Sequence, residues 1–140
     1  VVEDTTPLKR IVLIFDGGSR GNPGPAYGSY RLELPDVPPM DRSIEFEEPL
    51  TNNQAEYRTL LAALETLVEL LEQRGTPTHG TILEIQTDSE LVARQLRGAY
   101  KVRDPKLRPL YDRVRALLAR FNHWEVHWQP REVIYQYFGH

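Results

Sequence analysis

Ile11-Val12-Leu13-Ile14-Phe15-Asp16 is an unbroken apolar run that stops on a carboxylate. A run this short, with no polar alternation, reads as a strand buried on both faces and therefore central in its sheet. An acid closing such a strand is costly to desolvate alone, so it calls for a partner or a cation. On the C-terminal side, Gly17 to Pro25 reads as a loop and Tyr27 to Leu34 as a second strand. After a proline-rich turn (Pro35, Pro38, Pro39), Arg42 to Glu48 alternates apolar and charged as a third. The period then changes. Tyr57, Leu60, Leu61, Leu64, Leu67, Val68 and Leu71 form one helical stripe between Asn53 and Arg74, closed by Gly75. Ile82 to Thr87 reads as a strand, Ser89 to Arg97 and Pro105 to Arg120 as helices, and Trp124 to Trp128 as a last strand. The expected class is α/β: a five-stranded mixed sheet flanked by helices, in the order βββαβααβ.

The chain has 140 residues, 40% hydrophobic and 26% charged, enough for one domain with a sizeable core. Residues 1–9 are expected to be a flexible N-terminal segment and 133–140 a C-terminal tail near the active site. With no cysteine, disulfide scaffolds, thiol nucleophiles and thiolate metal sites are excluded. The composition fits a reducing compartment, and a cytoplasmic monomer is expected. No apolar run approaches the roughly 20 residues of a membrane span, and the N-terminus lacks a signal-peptide pattern. A net charge of −3 argues at first sight against a nucleic-acid partner. That average hides a local balance of +7 between Arg94 and Arg120, and −10 elsewhere.

Three acids fall at element junctions: Asp16 after the first strand, Glu56 in the first turn of the long helix, and Asp88 between a strand and a helix. Each alone is explained by a turn or an N-cap. Together they repel one another, and a hard-oxygen donor set of this kind suits Mg²⁺ or Mn²⁺. The loop Asp16-Gly17-Gly18-Ser19-Arg20-Gly21-Asn22-Pro23-Gly24-Pro25 lacks the endings of nucleotide-binding motifs and precedes a strand, which argues against a phosphate cradle.

The motifs resemble a known family. Phe15 to Ala26, Thr51-Asn52-Asn53-Gln54-Ala55-Glu56-Tyr57, Thr87-Asp88-Ser89 and Trp128-Gln129-Pro130-Arg131-Glu132 are similar, in this order, to the motifs of type 1 ribonuclease H. Gly98 to Val102 runs straight into the next helix, as in short members without the inserted basic handle. The resemblance implies an endoribonuclease that hydrolyses the RNA strand of RNA–DNA hybrids with two divalent ions. It assigns Asp16 to bridge both ions, and Glu56 and Asp88 to hold the one at the leaving oxygen. Asn22, Asn52 and Asn53 match positions that read 2′-hydroxyls or base edges, and Thr51 matches a phosphate-pocket position. Either asparagine of the Asn52–Asn53 pair is also a candidate helix N-cap.

One departure stands out. The family's fourth carboxylate, six residues after the glutamate of Pro-Arg-Glu, is replaced here by Phe138. Three substitutes are available: the His140 imidazole, its terminal carboxylate, or Glu132. His140 is favoured, aimed by a Gly139 hinge, with Mn²⁺ then preferred over Mg²⁺. The alternative function is a hybrid- or double-strand-binding module that lost turnover with the missing acid. His123 and His127 are read as packed or half-exposed strand residues.

Overall fold

The computed structural model describes residues 7–139. The chain forms β1 (Lys9–Ser19), β2 (Gly24–Glu33), β3 (Met40–Leu50), α1 (Asn52–Gln73), β4 (Thr81–Thr87), α2 (Glu90–Leu96), α3 (Arg108–Leu118), β5 (His123–Trp128) and α4 (Arg131–Phe138). The sheet order is β3-β2-β1-β4-β5. β1–β2 and β2–β3 are antiparallel, whereas β1–β4 and β4–β5 are parallel. The mixed α/β sheet expected from the sequence is present, and β1 is its central strand. Among the described residues no helix is long and apolar enough to cross a membrane.

Both faces of β1 are covered, which accounts for its apolar run. Ile11, Leu13 and Phe15 enter the main core with the α1 stripe from Tyr57 to Leu71 and with Val114 and Leu118 of α3. On the opposite face Ile14 is fully buried, and α4 lies against β1 and β2 there with Ile134 equally buried. Asp16 shares this second face, because side chains alternate along a strand.

Two elements differ from the sequence reading. Residues 131–138, expected to run as a tail from 133, are helical. Pro130 precedes the first turn, Ile134 and Tyr137 give one apolar side, and Gly139 caps the end with φ of 72°. Gly139 is therefore a helix terminator; it donates its N–H to the Tyr135 carbonyl. Likewise β1 begins at Lys9 and continues past Asp16 to Ser19, so the first acid sits within the strand rather than at its end. Residues 1–6 of the expected flexible segment lie outside the described residues.

Gly17 and Gly28 are register partners on β1 and β2. A Cβ on Gly17 would lie 2.8 Å from the Ala55 carbonyl oxygen, and one on Gly28 would lie 1.9 Å from Thr59 Oγ1. This bare rung lets the first turns of α1 sit directly on the sheet, beside Asp16.

Candidate active site

Three chain segments converge on one end of the sheet. β1 carries Asp16, α1 carries Glu56 one turn after its start, and the β4–α2 junction carries Asp88. The close approach of Gly17 to Ala55 and the Glu56 backbone N–H brings the first two together. Asp16 is buried, and its carboxyl shares a hydrogen bond with that of Asp88. Burial, then the charge and hydrogen bond of Asp88, push the Asp16 pKa from an ordinary 3.8 up to about 7, while the Gly17 backbone and the Arg131 guanidinium oppose the rise. Glu56 is pushed from 4.5 to about 7, chiefly by burial and then by Asp88 and Asp16, against a hydrogen bond from Ser89. Glu56 Oε2 is buried with no hydrogen-bond partner. A buried carboxylate oxygen without a partner, on a side chain repelled by two further acids, costs free energy that a bound cation would recover. The donor set therefore fits a hard divalent ion.

The junction under Asp88 is held from several sides. Thr87 Oγ1 accepts from the Ser89 N–H at 3.0 Å, and Ser89 caps α2 by accepting from the Val92 N–H at 3.2 Å. Trp128, half-exposed at the end of β5, donates its indole N–H to the Asp88 carbonyl at 3.1 Å. The Gln129 N–H bonds the Thr87 carbonyl at 2.8 Å. Ser89, Trp128 and Arg131 were not singled out from the sequence as site residues. Only Ser89 left a local signal, being a hydroxyl residue directly before a helix. Trp128 and Arg131 act across long chain separations.

A family model described as reverse transcriptase-like matches residues 42–135. The chain is 39% identical over 122 residues to ribonuclease HI of Halobacterium salinarum. It superposes on the crystal structure of RNase H1 from the same halophilic archaeon with TM-score 0.71 and 39% identity, covering 89% of each chain. The chain belongs to the type 1 ribonuclease H family. The match to ribonuclease HI covers 87% of this chain but 57% of that protein, so the chain spans little more than half the length of this curated relative. It is also similar to LC11-RNase H1, solved in complex with an RNA/DNA hybrid, with TM-score 0.79, 30% identity, and coverage of 90% of this chain and 89% of that one.

The remaining motif residues stitch the β1–β2 loop to α1. Asn22 Oδ1 accepts from the Asn52 N–H at 2.9 Å, and Asn52 Oδ1 accepts from the Ser19 N–H at 2.8 Å. Each carbonyl half is engaged internally, leaving the NH₂ half of each amide as the outward group. Asn53 is exposed on the first turn of α1. The helix cap is Thr51 rather than either asparagine: its hydroxyl accepts from the Gln54 N–H, while the Gln54 side chain accepts from the Thr51 N–H. A Thr-x-x-Gln capping box explains why the threonine wins.

Phe138 closes α4, so the position of the family's fourth carboxylate is helical and apolar. Glu132 lies exposed on the first turn of the same helix. His140 lies outside the described residues. His127 is half-buried on β5 and His123 exposed, both bonded to Glu125.

The basic stretch is less available than its +7 suggests. Arg94, Arg108, Arg113 and Arg120 pair with Glu90, Asp112, Glu65 and Glu72 respectively. Arg97 and Arg115 donate to the Val126 and Leu96 carbonyls. Lys101, Arg103 and Lys106, around the α2–α3 connection, hold no ion pair among the described residues.

Proposed function

We propose that this chain is an endoribonuclease that hydrolyses the RNA strand of RNA–DNA hybrids with two divalent ions, Mg²⁺ or Mn²⁺. The observation that carries this reading is the electrostatic coupling of Asp16, Glu56 and Asp88, with Glu56 Oε2 buried and unpartnered. A pure binding surface has no need of three mutually repelling acids, one buried and two half-buried. These three residues would hold the metal, which when bound supplies an activated water and neutralises charge at the leaving 3′ oxygen. Asp16, the deepest of them, is the proposed shared ligand. Ser89 orients Glu56 by hydrogen bonding, and Trp128 fixes the main chain beneath Asp88. Arg131 places positive charge beside Asp16.

Substrate reading falls to Asn22, Asn52 and Asn53. The free NH₂ halves of Asn22 and Asn52 can donate to ribose 2′-hydroxyls or to minor-groove base acceptors, the chemistry that distinguishes RNA from DNA. Thr51, with its hydroxyl hydrogen still available at the start of a 22-residue helix, suits a backbone phosphate. Lys101, Arg103 and Lys106 would meet the opposite strand's phosphates. That LC11-RNase H1 was solved on an RNA/DNA hybrid supports this choice of substrate.

Phe138 favours one second reading, a hybrid-binding module without turnover. Incubating the chain with labelled hybrid, RNA duplex and DNA duplex in Mg²⁺ and in Mn²⁺ separates the two. Cleavage confined to the hybrid's RNA strand supports the enzyme; retained hybrid binding without cleavage in either metal overturns it. His140 is the proposed substitute ligand, and His140→Ala should selectively depress Mn²⁺-dependent cleavage. Unchanged Mn²⁺ activity would remove it from the site.

A further inference from the structure

On the α4 side of the sheet, but toward the opposite edge, lies a group of side chains that hybrid cleavage does not use. β5 presents His123, Glu125 and His127 outward, and β4 presents Glu84. Glu84 and Glu125 are direct register partners on parallel strands. Like charges placed opposite one another destabilise a strand pair. Here a carboxylate oxygen of each, together with an imidazole nitrogen of His127, fits within 4.8 Å.

We propose that Glu84, Glu125 and His127 form a binding site for a borderline divalent transition ion of the Zn²⁺ class. Bonds of 2.0–2.2 Å at a tetrahedral angle place ligand atoms about 3.3–3.6 Å apart. His127 Nε2 stands 3.0 Å from Glu125 Oε2 and 3.8 Å from Glu84 Oε1, so the observed spacings straddle that range. The 3.8 Å separation is too long for a hydrogen bond, and a small inward movement of either side chain brings it to the spacing of two ligands of one ion. The three side chains project from paired strands, a more rigid base than a loop. All three are partly open to solvent, which gives an ion access and leaves a fourth position for water. An imidazole in the donor set selects Zn²⁺, Co²⁺ or Mn²⁺ over Mg²⁺. His123 bonds the other Glu125 oxygen at 3.2 Å and holds that carboxylate in place. Arg10, 3.8 Å from Glu84, is the competing cation.

The site is separate from the three catalytic acids. Glu84 precedes Asp88 by four residues, about 13 Å along the strand. Its effect would be to clip the edge strand β5 to β4. The two sites can therefore be loaded and removed independently, and the inference does not rest on the proposed activity.

The experiment is calorimetric titration of the full, chelator-stripped chain with Zn²⁺ in an Asp16→Asn/Asp88→Asn background, where only Glu56 is left of the three catalytic acids. One equivalent should still bind. His127→Ala and Glu84→Gln should each weaken it at least about tenfold, since even outer-shell changes cost a metal site that much. With Co²⁺ in place of Zn²⁺, visible absorption typical of four-coordinate cobalt should appear and be lost in His127→Ala. In the otherwise unaltered chain, His127→Ala should leave Mg²⁺-dependent hybrid cleavage unchanged. Absence of Zn²⁺ binding in the double variant, or binding that survives both ligand substitutions, would show that the cluster is only a solvated set of ion pairs.

Discussion

Replacing Gly17 by alanine tests whether the spacing between β1 and α1 sets the geometry of the site. The new Cβ would lie 2.8 Å from the Ala55 oxygen and 2.9 Å from both the Ala55 carbon and the Glu56 nitrogen. All three are backbone atoms, so no side chain can swing aside. Ordinary contact begins near 3.4 Å, and strand and helix must separate by about 0.6 Å. Overpacking of this kind costs about 1–3 kcal/mol. For a domain of this length that lowers Tm by about 3–10 °C. The separation opens between Asp16 and Glu56 themselves. Since misplacement by about 1 Å can cost 10²-fold, kcat on hybrid should fall by about tenfold or more. Gly28→Ala is the comparison: its Cβ would meet only Thr59, 1.9 Å from Oγ1 and 2.9 Å from both Cβ and Cγ2, so rotation of the hydroxyl relieves only part of the clash and the strain falls on α1 beyond Glu56. That variant should lose stability but retain most of its kcat well below its Tm. Gly80→Ala, whose nearest neighbour is 3.6 Å away, should change neither. Thermal unfolding and single-turnover cleavage, measured together, decide the matter. A Gly17→Ala protein losing no more kcat than Gly28→Ala at equal folded fraction would refute the reasoning.

Other expectations concern the same end of the sheet. Chelator-treated protein should lose stability as pH rises from about 4 to about 7, because over that window the unfolded chain releases the Asp16 and Glu56 protons while the folded chain retains them. Saturating Mg²⁺ should flatten that slope in chemical denaturation, and a slope identical with and without metal would count against the site. Trp128→Phe keeps the ring but removes the N–H to Asp88, worth about 1 kcal/mol. It should raise the Mg²⁺ concentration needed for half-maximal cleavage while leaving KM for hybrid unchanged. Thr51→Ala should cost about 1 kcal/mol through loss of the α1 cap, and Thr51→Ser should restore most of it in thermal melts.

Much of this architecture was legible because local pattern and burial agree. The apolar run at Ile11–Phe15 is central because both of its faces are covered, and the α1 stripe is one side of a long helix. The α4 helix was missed because it is eight residues long, and its aromatic residues read equally well as a packed tail. The three acids could be found because Glu56 and Asp88 lie near element junctions and Asp16 interrupts the apolar run of a central strand. Apart from Ser89, their supporting groups could not. The indole of Trp128 lies 40 residues from Asp88 in sequence, and whether Asn22 presents its oxygen or its nitrogen outward is decided by Asn52, 30 residues away. Charge misled for a related reason. A count along the chain makes Arg113 and Arg120 neighbours of other cations, whereas folding places them against Glu65 and Glu72 of α1, 48 residues distant.

Those arginine pairs bear on how the molecule finds its substrate. Charges compensated within a few ångströms project little field beyond a Debye length of about 8 Å at physiological ionic strength. With Arg94, Arg108, Arg113 and Arg120 matched in this way, the positive field of this stretch rests on Arg97, Lys101, Arg103, Lys106 and Arg115, against a chain whose total charge is −3. Encounter should then depend more on diffusion and short-range fit than a local balance of +7 suggests. Productive collisions should be comparatively rare, but their frequency should change little as the surrounding electrolyte rises.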